Sequence, residues 1–300
     1  MTETTHAPIA LVTHRAEPDL HLSDRHLVAP LQAQGYRVAV VAWDDPTVQW
    51  DTYDLVVIRS TWDYHRRHAE FLRWLQAVDR VTTLVNPLPL LRWNMDKIYL
   101  RDLQSAGVAL LPTVFVEAHQ PADLSDILGQ AGWQQAVVKP LISAGGEDTW
   151  LVTPETATAR QPAFDALIAR DGVMVQRFAP QIARGETSLI FFDGAYSHAL
   201  LKVPAEGQIR VHEAYGGRNR AIDLSATVIA QGRAILAHVQ RLSGHLPSYA
   251  RVDGLVTDDT FTLMELECVE PELFFQYAPA DAPDHFVQAL GRALQDARTF

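Results

Sequence analysis

Four short apolar runs, IALVTH (9–14), VAVVAW (38–43), LVVIRS (55–60) and TLVN (83–86), alternate with segments of helical character over the first third of the chain. This alternation restricts the fold more than any other feature. Parallel strands cannot be joined by a tight turn; they need crossovers, and the crossover helices cover both faces of the sheet. The helices are expected from Ser23 to Gln34, ended by Gly35, and over RRHAEFLRWLQAV (66–78). The fold class is therefore α/β, with a parallel sheet at the start of the chain.

The pattern then changes. A helix is expected from Met95 to Ala106, closed by Gly107. TVFVE (113–117), AVVKP (136–140), TWLV (149–152) and VMVQRF (173–178) read as strands, with helices near 123–131 and 160–169. Together they suit a small α+β lobe. TSLIFF and YSHALLKV form a hairpin across Asp193-Gly194. After a helix at about 224–242, ARVDGLVTDD and TFTLMELECVEP pair across Asp258-Asp259, and His285 to Ala297 form the last helix.

The stretch LMELECVEP (263–271) places acids where strand core residues belong. Side chains alternate along a strand, so Glu265 and Glu267 share one face, with Met264, Leu266 and Cys268 on the other, and their Cα atoms stand roughly 6–7 Å apart. Asp253, on the preceding strand, supplies a third carboxylate. Such hard oxygen donors suit Mg²⁺ or Mn²⁺, and without a cation they would raise each other's pKa values. The competing reading is a solvated strand face. Glu270 and Glu272, beside Pro271, read as turn or helix-start charges.

Other candidates are basic or flexible. Lys139 ends a strand, and a Ser-Ala-Gly-Gly loop (Ser143, Gly145, Gly146) follows; such a loop can bring backbone N–H groups to phosphate oxygens, or simply turn the chain. Gly-Lys-Ser/Thr is absent, so this is no Walker loop. Lys97 in NMDKIYL reads on its own as a solvated helix lysine. Lys202 alternates with apolar residues in SHALLKVP, and Arg251 shares a face with Asp253. RSTWDY (59–64) ends a strand where open α/β sheets bind ligands; the plain alternative is a structural Trp62 with Asp63 as a helix cap. His65 and His68 lack a third metal ligand and read as a solvated helix face.

Composition sets the class. The 300 residues suffice for two or three lobes. The formal charge of −11 argues against nucleic acid as partner. One cysteine fits a reducing cytoplasm. No apolar run approaches the ~18 residues needed to span a bilayer, and the chain start lacks a secretory leader, so no membrane association is expected. A homodimer is the expected assembly, as the commonest one.

The order of these motifs resembles the ATP-grasp superfamily, over most of the chain. The resemblance implies a Rossmann-like N-terminal lobe (1–105), a central lid lobe (106–180) and a C-terminal lobe with the metal site (181–300), ATP lying between the last two. It implies nucleotide contacts from Lys97, Lys139, Ser143, Gly145, Gly146, Gln176, Arg177, Phe178, Ala179, Glu186 and Lys202, with 176–179 bordering adenine and Glu186 meeting the ribose. It places Mg²⁺ or Mn²⁺ on Asp253, Glu265 and Glu267. Glu267 stands where many relatives carry Asn, which bears on the number of ions.

Within the superfamily the chain resembles the glutathione-synthetase-like branch and, through VVIRSTWDY, GETSLIFFDGAYSHALLKVP and ARVDG…MELECVEPELFF, the D-cycloserine synthetase family. The implied chemistry joins a carboxylate to an amine through an acyl phosphate, with Arg251, Lys202 and Lys139 catalytic. The substrate is then a small carboxylate, with O-ureido-D-serine cyclised to D-cycloserine as one case. Arg59, Ser60, Asp63, Arg210, Tyr215, Gly216, Gly217 and Arg251 are the substrate candidates, Arg59 for a carboxylate and Asp63 for an amino group. Ligation of amino acids to a peptide or protein, and nucleotide binding without turnover, are the alternatives.

Overall fold

The computed structural model describes residues 8–297; part of the chain start, where no leader was recognised, lies outside them. The first sheet is parallel, in the order β2-β1-β3-β4, with β1 Pro8–Thr13, β2 Arg37–Ala42, β3 Leu55–Ile58 and β4 Thr83–Val85. Helix α1 (Val28–Ala33) follows a 3-10 turn at Asp24–Leu27, so the expected helix from Ser23 is split in two. Helix α2 (His68–Val78) covers the opposite face, where Phe71, Leu75 and Val78 pack on Ala10, Val12, Val56 and Ile58. Each such buried side chain contributes about 1.5–3 kcal/mol.

A short helix, α3 (Leu88–Asn94), comes first, and the helix expected from Met95 to Ala106 is the shorter α4 (Tyr99–Ser105). The chain turns between them at residues 95–98, where the Asp96 carboxylate accepts from the Ile98 N–H at 2.9 Å. The second sheet is antiparallel, in the order β5-β8-β6-β7: β5 Thr113–Val116, β6 Ala136–Pro140, β7 Trp150–Val152 and β8 Val173–Arg177. Helices α5 (Leu124–Ala131) and α6 (Pro154–Arg170) cover it. A capping box between Thr153 and Thr156 starts α6 well before the expected residue 160.

The third sheet has the order β11-β10-β9-β12-β13: β9 Glu186–Phe192, β10 Ala195–Val203, β11 Arg218–Ile222, β12 Tyr249–Thr257 and β13 Thr260–Glu267. Strand β11, in the polar stretch RNRAI, gave no apolar signal and was not expected. Both hairpin turns hold two residues at positive φ: Asp193 with Gly194, and Asp258 with Asp259. Helix α7 (Ala226–Ser243) packs on this sheet, and Gly232 permits it, because a Cβ there would meet Leu189 and Phe191 at 2.9 Å.

Helix α8 (Ala282–Ala297) joins the two ends of the chain. Phe286, Val287, Leu290 and Leu294 share one buried cluster with Ile9, Leu11, Leu55 and Val57 of the first sheet and with Phe192, Leu200 and Tyr249 of the third. Among the described residues no helix is long and apolar enough to cross a membrane.

Strand β13 is an edge strand, and an unpaired edge must be satisfied somehow. Here residues 109–111 meet the backbone of Leu263, and α3 and α4 meet the end beyond it. Asn94 donates to the Leu266 carbonyl at 2.9 Å and accepts from the Cys268 N–H at 2.6 Å. The Tyr99 hydroxyl both donates to the Leu266 carbonyl and accepts from its N–H, each at 2.8 Å. The turn carrying Lys97 is thereby held against the acidic end of β13.

Candidate active site

A cavity of about 740 Å³ opens between the three sheets. Its walls include Trp62 and Tyr64 after β3, Lys139 and Gln176 on β6 and β8, and Lys202, Arg251, Asp253, Glu265 and Glu267 on β10, β12 and β13. The register sets Asp253 opposite Glu265 and Arg251 opposite Glu267, and all four side chains line the cavity. The three carboxylates expected from LMELECVEP and ARVDG thus face one space.

The pairing slips by one residue between Asp253 and Gly254, leaving Met264 without a partner. Such a bulge re-aims side chains. Strict alternation would put Met264 with Leu266 and Cys268; instead it lines the cavity and packs with Leu111, Ile182, Val211 and Phe178. That correction creates an apolar slot just past β8, where Phe178 and Ala179 also lie.

Basic groups currently hold the acids. Asp253 accepts from Ser188 at 2.5 Å, from Arg251 Nε at 3.0 Å and from Lys202 at 3.3 Å. Burial would push its pKa up, but Arg251 and Lys202 win and hold it at about 2. Glu267 pairs with Arg251, yet burial, joined by Asp253 and Glu265, pushes it up to about 7. Glu265 lies 3.3 Å from Lys97 Nζ and is held low: burial raises it, and Lys97 and Lys139 outweigh burial. Among the described residues no three His, Cys, Asp or Glu side chains stand gathered closely enough to grip an ion as they are. The donor set nonetheless fits the chemistry of a hard divalent cation: three carboxylates on one strand pair face one cavity.

Lys202 is 4 % exposed and pairs with Glu186 as well as Asp253; burial opposes its charge, but the two carboxylates hold its pKa above the usual lysine range. Lys97 is buried, not solvated, and donates to the Ser143 carbonyl at 2.7 Å and to its hydroxyl at 3.1 Å. Lys139 differs from both. It reaches only Gln176 Oε1, at 3.3 Å, and among the described residues has no carboxylate within ion-pair distance, while burial lowers its pKa. A cation without an anion in a cavity wall is a place for an anion.

The loop after Lys139 bends over the cavity. Gly145 and Gly146 both adopt positive φ, which suits glycine, and a Cβ on Gly146 would press on Arg210 at 3.3 Å. Arg210 lies on the Tyr215 ring, 3.6 Å from its centroid. Glu147 then latches the loop to the N-terminal lobe: its Oε2 is 2.7 Å from His65 Nε2 and accepts from Arg66 at 3.0 Å. Replacing Glu147 with Gln is expected to weaken the latch by about 1 kcal/mol. Hydrogen exchange should then speed up in residues 143–149 with α2 unchanged; equal exchange in both proteins would show that the latch does not hold the loop.

Several expected site residues lie elsewhere. The Arg59 guanidinium is fully buried, donating to Asp24 at 2.9 Å and to the Pro271 carbonyl at 2.8 Å, with the Tyr249 and Phe286 rings beside it. It bolts the first lobe to the segment after β13 and does not line the cavity. Ser60 is buried away from it. Asp63 caps no helix; it accepts from Trp43 Nε1 at 2.9 Å and pairs with Arg67. Gly216 and Gly217 do not reach the cavity; a Cβ on Gly217 would fall 2.0 Å from the Val211 carbonyl, so that glycine serves a tight backbone crossing. The other expected positions, Ser143, Gln176, Arg177, Glu186, Arg210 and Tyr215 among them, line the cavity.

The cavity also holds residues that the sequence did not single out for it. His65 lines it, turned inward onto the loop, while His68 lies outside it, half-buried with a pKa lowered by burial, so neither is a solvated face. Glu270 and Glu272 line the cavity and are not turn charges. Burial pushes Glu270 up to about 8, with Glu267 adding. No local signal marks these positions, because tertiary packing alone buries them.

The geometry agrees with the relatives. Residues 9–86 match the D-cycloserine synthetase DcsG N-terminal domain, and residues 97–244 match the prokaryotic glutathione synthetase ATP-grasp domain. The cycloserine biosynthesis protein DcsG of Streptomyces lavendulae is 33% identical over 297 residues, which is 96% of this chain and 99% of that protein. A glutathione synthetase of Rhodopseudomonas palustris is 25% identical over 180 residues, 59% of this chain and 55% of that protein. The crystal structure of D-cycloserine synthetase DcsG matches with a TM-score of 0.87 and 31% identity, over 96% of this chain and 99% of that one. The D-alanine–D-alanine ligase of Bacillus anthracis, complexed with ATP, shares the fold at a TM-score of 0.67 and 14% identity, over 98% of this chain and 99% of that one. The chain belongs to the ATP-grasp ligases, within them to the D-cycloserine synthetase family, and is an ATP-dependent ligase.

Proposed function

We propose that the protein joins a carboxylate to an amine-type nitrogen within one small amino acid derivative, through an acyl phosphate, and that O-ureido-D-serine is the substrate. One observation carries this reading. Asp253, Glu265 and Glu267 line the same cavity as the anion-seeking Lys139, and a latched glycine loop covers the space between. A cavity of about 740 Å³ has room for a nucleotide beside a small molecule.

The adenine ring goes to the apolar slot of Phe178, Ala179, Met264 and Leu111, and the phosphates to Lys139, Lys97 and the N–H groups around Gly145 and Gly146. Asp253, Glu265 and Glu267 would hold Mg²⁺ or Mn²⁺, which supplies charge neutralisation on the transferring phosphoryl group. The substrate carboxylate attacks the γ-phosphorus and ADP leaves. The ureido nitrogen then attacks the acyl carbon, inorganic phosphate leaves, and a ring closes; water removes the carbamoyl group that the nitrogen brought. Arg251, fixed by Asp253 and the Glu272 carbonyl at 3.1 Å, stabilises the oxyanion of the ring-closing step. The covering loop keeps water from the acyl phosphate.

The test is ADP release with Mg²⁺ across a panel of amino acids. Release on O-ureido-D-serine alone, with D-cycloserine as product, is expected. A requirement for a peptide acceptor would replace this reading with intermolecular ligation.

A further inference from the structure

Among the described residues, most acids of the cavity have a basic partner: even Glu272 has His21 at 3.9 Å, and Glu213, on the exposed rim, takes Asn219 and Tyr277 instead. Asp253 and Glu267 have Arg251, Glu186 has Lys202, Glu265 has Lys97 and Glu147 has Arg66. Glu270 is 8 % exposed, lines the cavity, and among the described residues forms no ion pair. Its place is fixed from behind: the Trp62 indole donates to its carbonyl at 3.1 Å, and the next residue, Pro271, takes the Arg59 guanidinium. Trp62 and Tyr64 line the cavity beside it, and the His21 ring stands edge-on to Trp62 at 4.9 Å.

An unpaired buried carboxylate costs stability, and a fold keeps one where a ligand repays it. A cation is the ligand that does so, and aromatic walls favour cations further. Lys97 and Arg251 are the bases whose charge acts on it, and both are committed to other acids. Asp63, which the sequence offered for an amino group, is taken up by Trp43 and Arg67.

We infer that Glu270, walled by Trp62 and Tyr64, is the anchor for the α-ammonium group of the substrate, so that the protein selects carboxylates carrying a free amine. The assignment rests on the ligase reading above. It gives the substrate two fixed ends: its carboxylate toward Lys139 and the acids of β13, its ammonium toward the N-terminal lobe.

The experiment compares Glu270→Gln with the parent protein, using O-ureido-D-serine and its des-amino counterpart, 3-(ureidooxy)propanoic acid, as substrates. Loss of one charge-assisted contact should raise the KM for O-ureido-D-serine about 30-fold, with kcat changed less than about threefold. KM for ATP and for the des-amino compound should stay within about twofold, since neither meets Glu270. The Tm should equal or exceed the parent's, because glutamine keeps the shape of a buried acid that has no ion-pair partner. An unchanged KM for O-ureido-D-serine, or a fall in kcat alone, would overturn the anchor while the ligase reading stood. No ADP release by the parent protein on either compound would overturn both.

Discussion

Glu265→Gln is expected to lower kcat for ADP release by on the order of 10³-fold while the protein stays folded. Glu265 is the acid of β13 that stands between two cations, Lys97 at 3.3 Å and, further off, Lys139. Glutamine keeps the shape and one oxygen but removes the charge. A carboxylate that holds a divalent ion against transferring phosphoryl oxygens supplies several kcal/mol in the transition state, and about 1.4 kcal/mol is tenfold in rate. Folding should change little. Lys97 keeps the Ser143 carbonyl and hydroxyl, and Glu265 is nearly a third exposed to the cavity. Steady-state kinetics with Mg²⁺, beside a melting curve, decide the matter; a rate within about tenfold of the parent's would take Glu265 out of the metal set.

Lys202→Met is expected to act chiefly on stability. The ammonium is buried between Glu186 and Asp253, and removing it leaves two buried acids, of which Arg251 reaches Asp253 but not Glu186. Breaking a buried pair from one side costs about 3–5 kcal/mol, or roughly 6–15 °C in Tm for a chain of this size. The loss depends on pH, and its sign is fixed. Burial already raises the pKa of Glu186, and Lys202 is the main group pulling it back. Without Lys202 the folded-state pKa climbs further above the unfolded value of 4.5. The folded protein then binds more protons than the unfolded chain, so stability falls as pH rises through that interval. The Tm deficit should be smallest near about pH 5 and largest near about pH 8. A deficit that shrinks with rising pH would show that Glu186 is not the orphaned group.

Much of this site is written in local pattern. The period-two acids of MELE, the Asp-Asp turn and the apolar runs of the first sheet follow from strand geometry, so they can be recognised without coordinates. The lysines at 97, 139 and 202 came from motif order, and all three line the cavity. What escaped needed the third dimension. Met264 changes side through a bulge whose cause is the pairing of β12 with β13. Lys97 is buried because Asn94 and Tyr99 clamp the free edge of β13, a contact across some 170 residues of sequence. Arg59 looks like a substrate ligand at the end of a strand, and only its burial beside Asp24 reveals a bolt. Glu270 looks like a turn acid because nothing in CVEPEL states how deeply the chain is covered there.

Helix α8 has a consequence for how the molecule is made. The first sheet emerges from the ribosome well before α8, yet Ile9, Leu11, Leu55 and Val57 wait for Phe286, Val287 and Leu290 of that helix. Until then one face of the nascent sheet stays wet and open to wrong partners, while the middle lobe, whose cluster draws only on residues 114–175, can settle unaided. The first sheet is thus held incomplete until α8 arrives, and a stop codon ahead of that helix would disable the first lobe as surely as the helix itself.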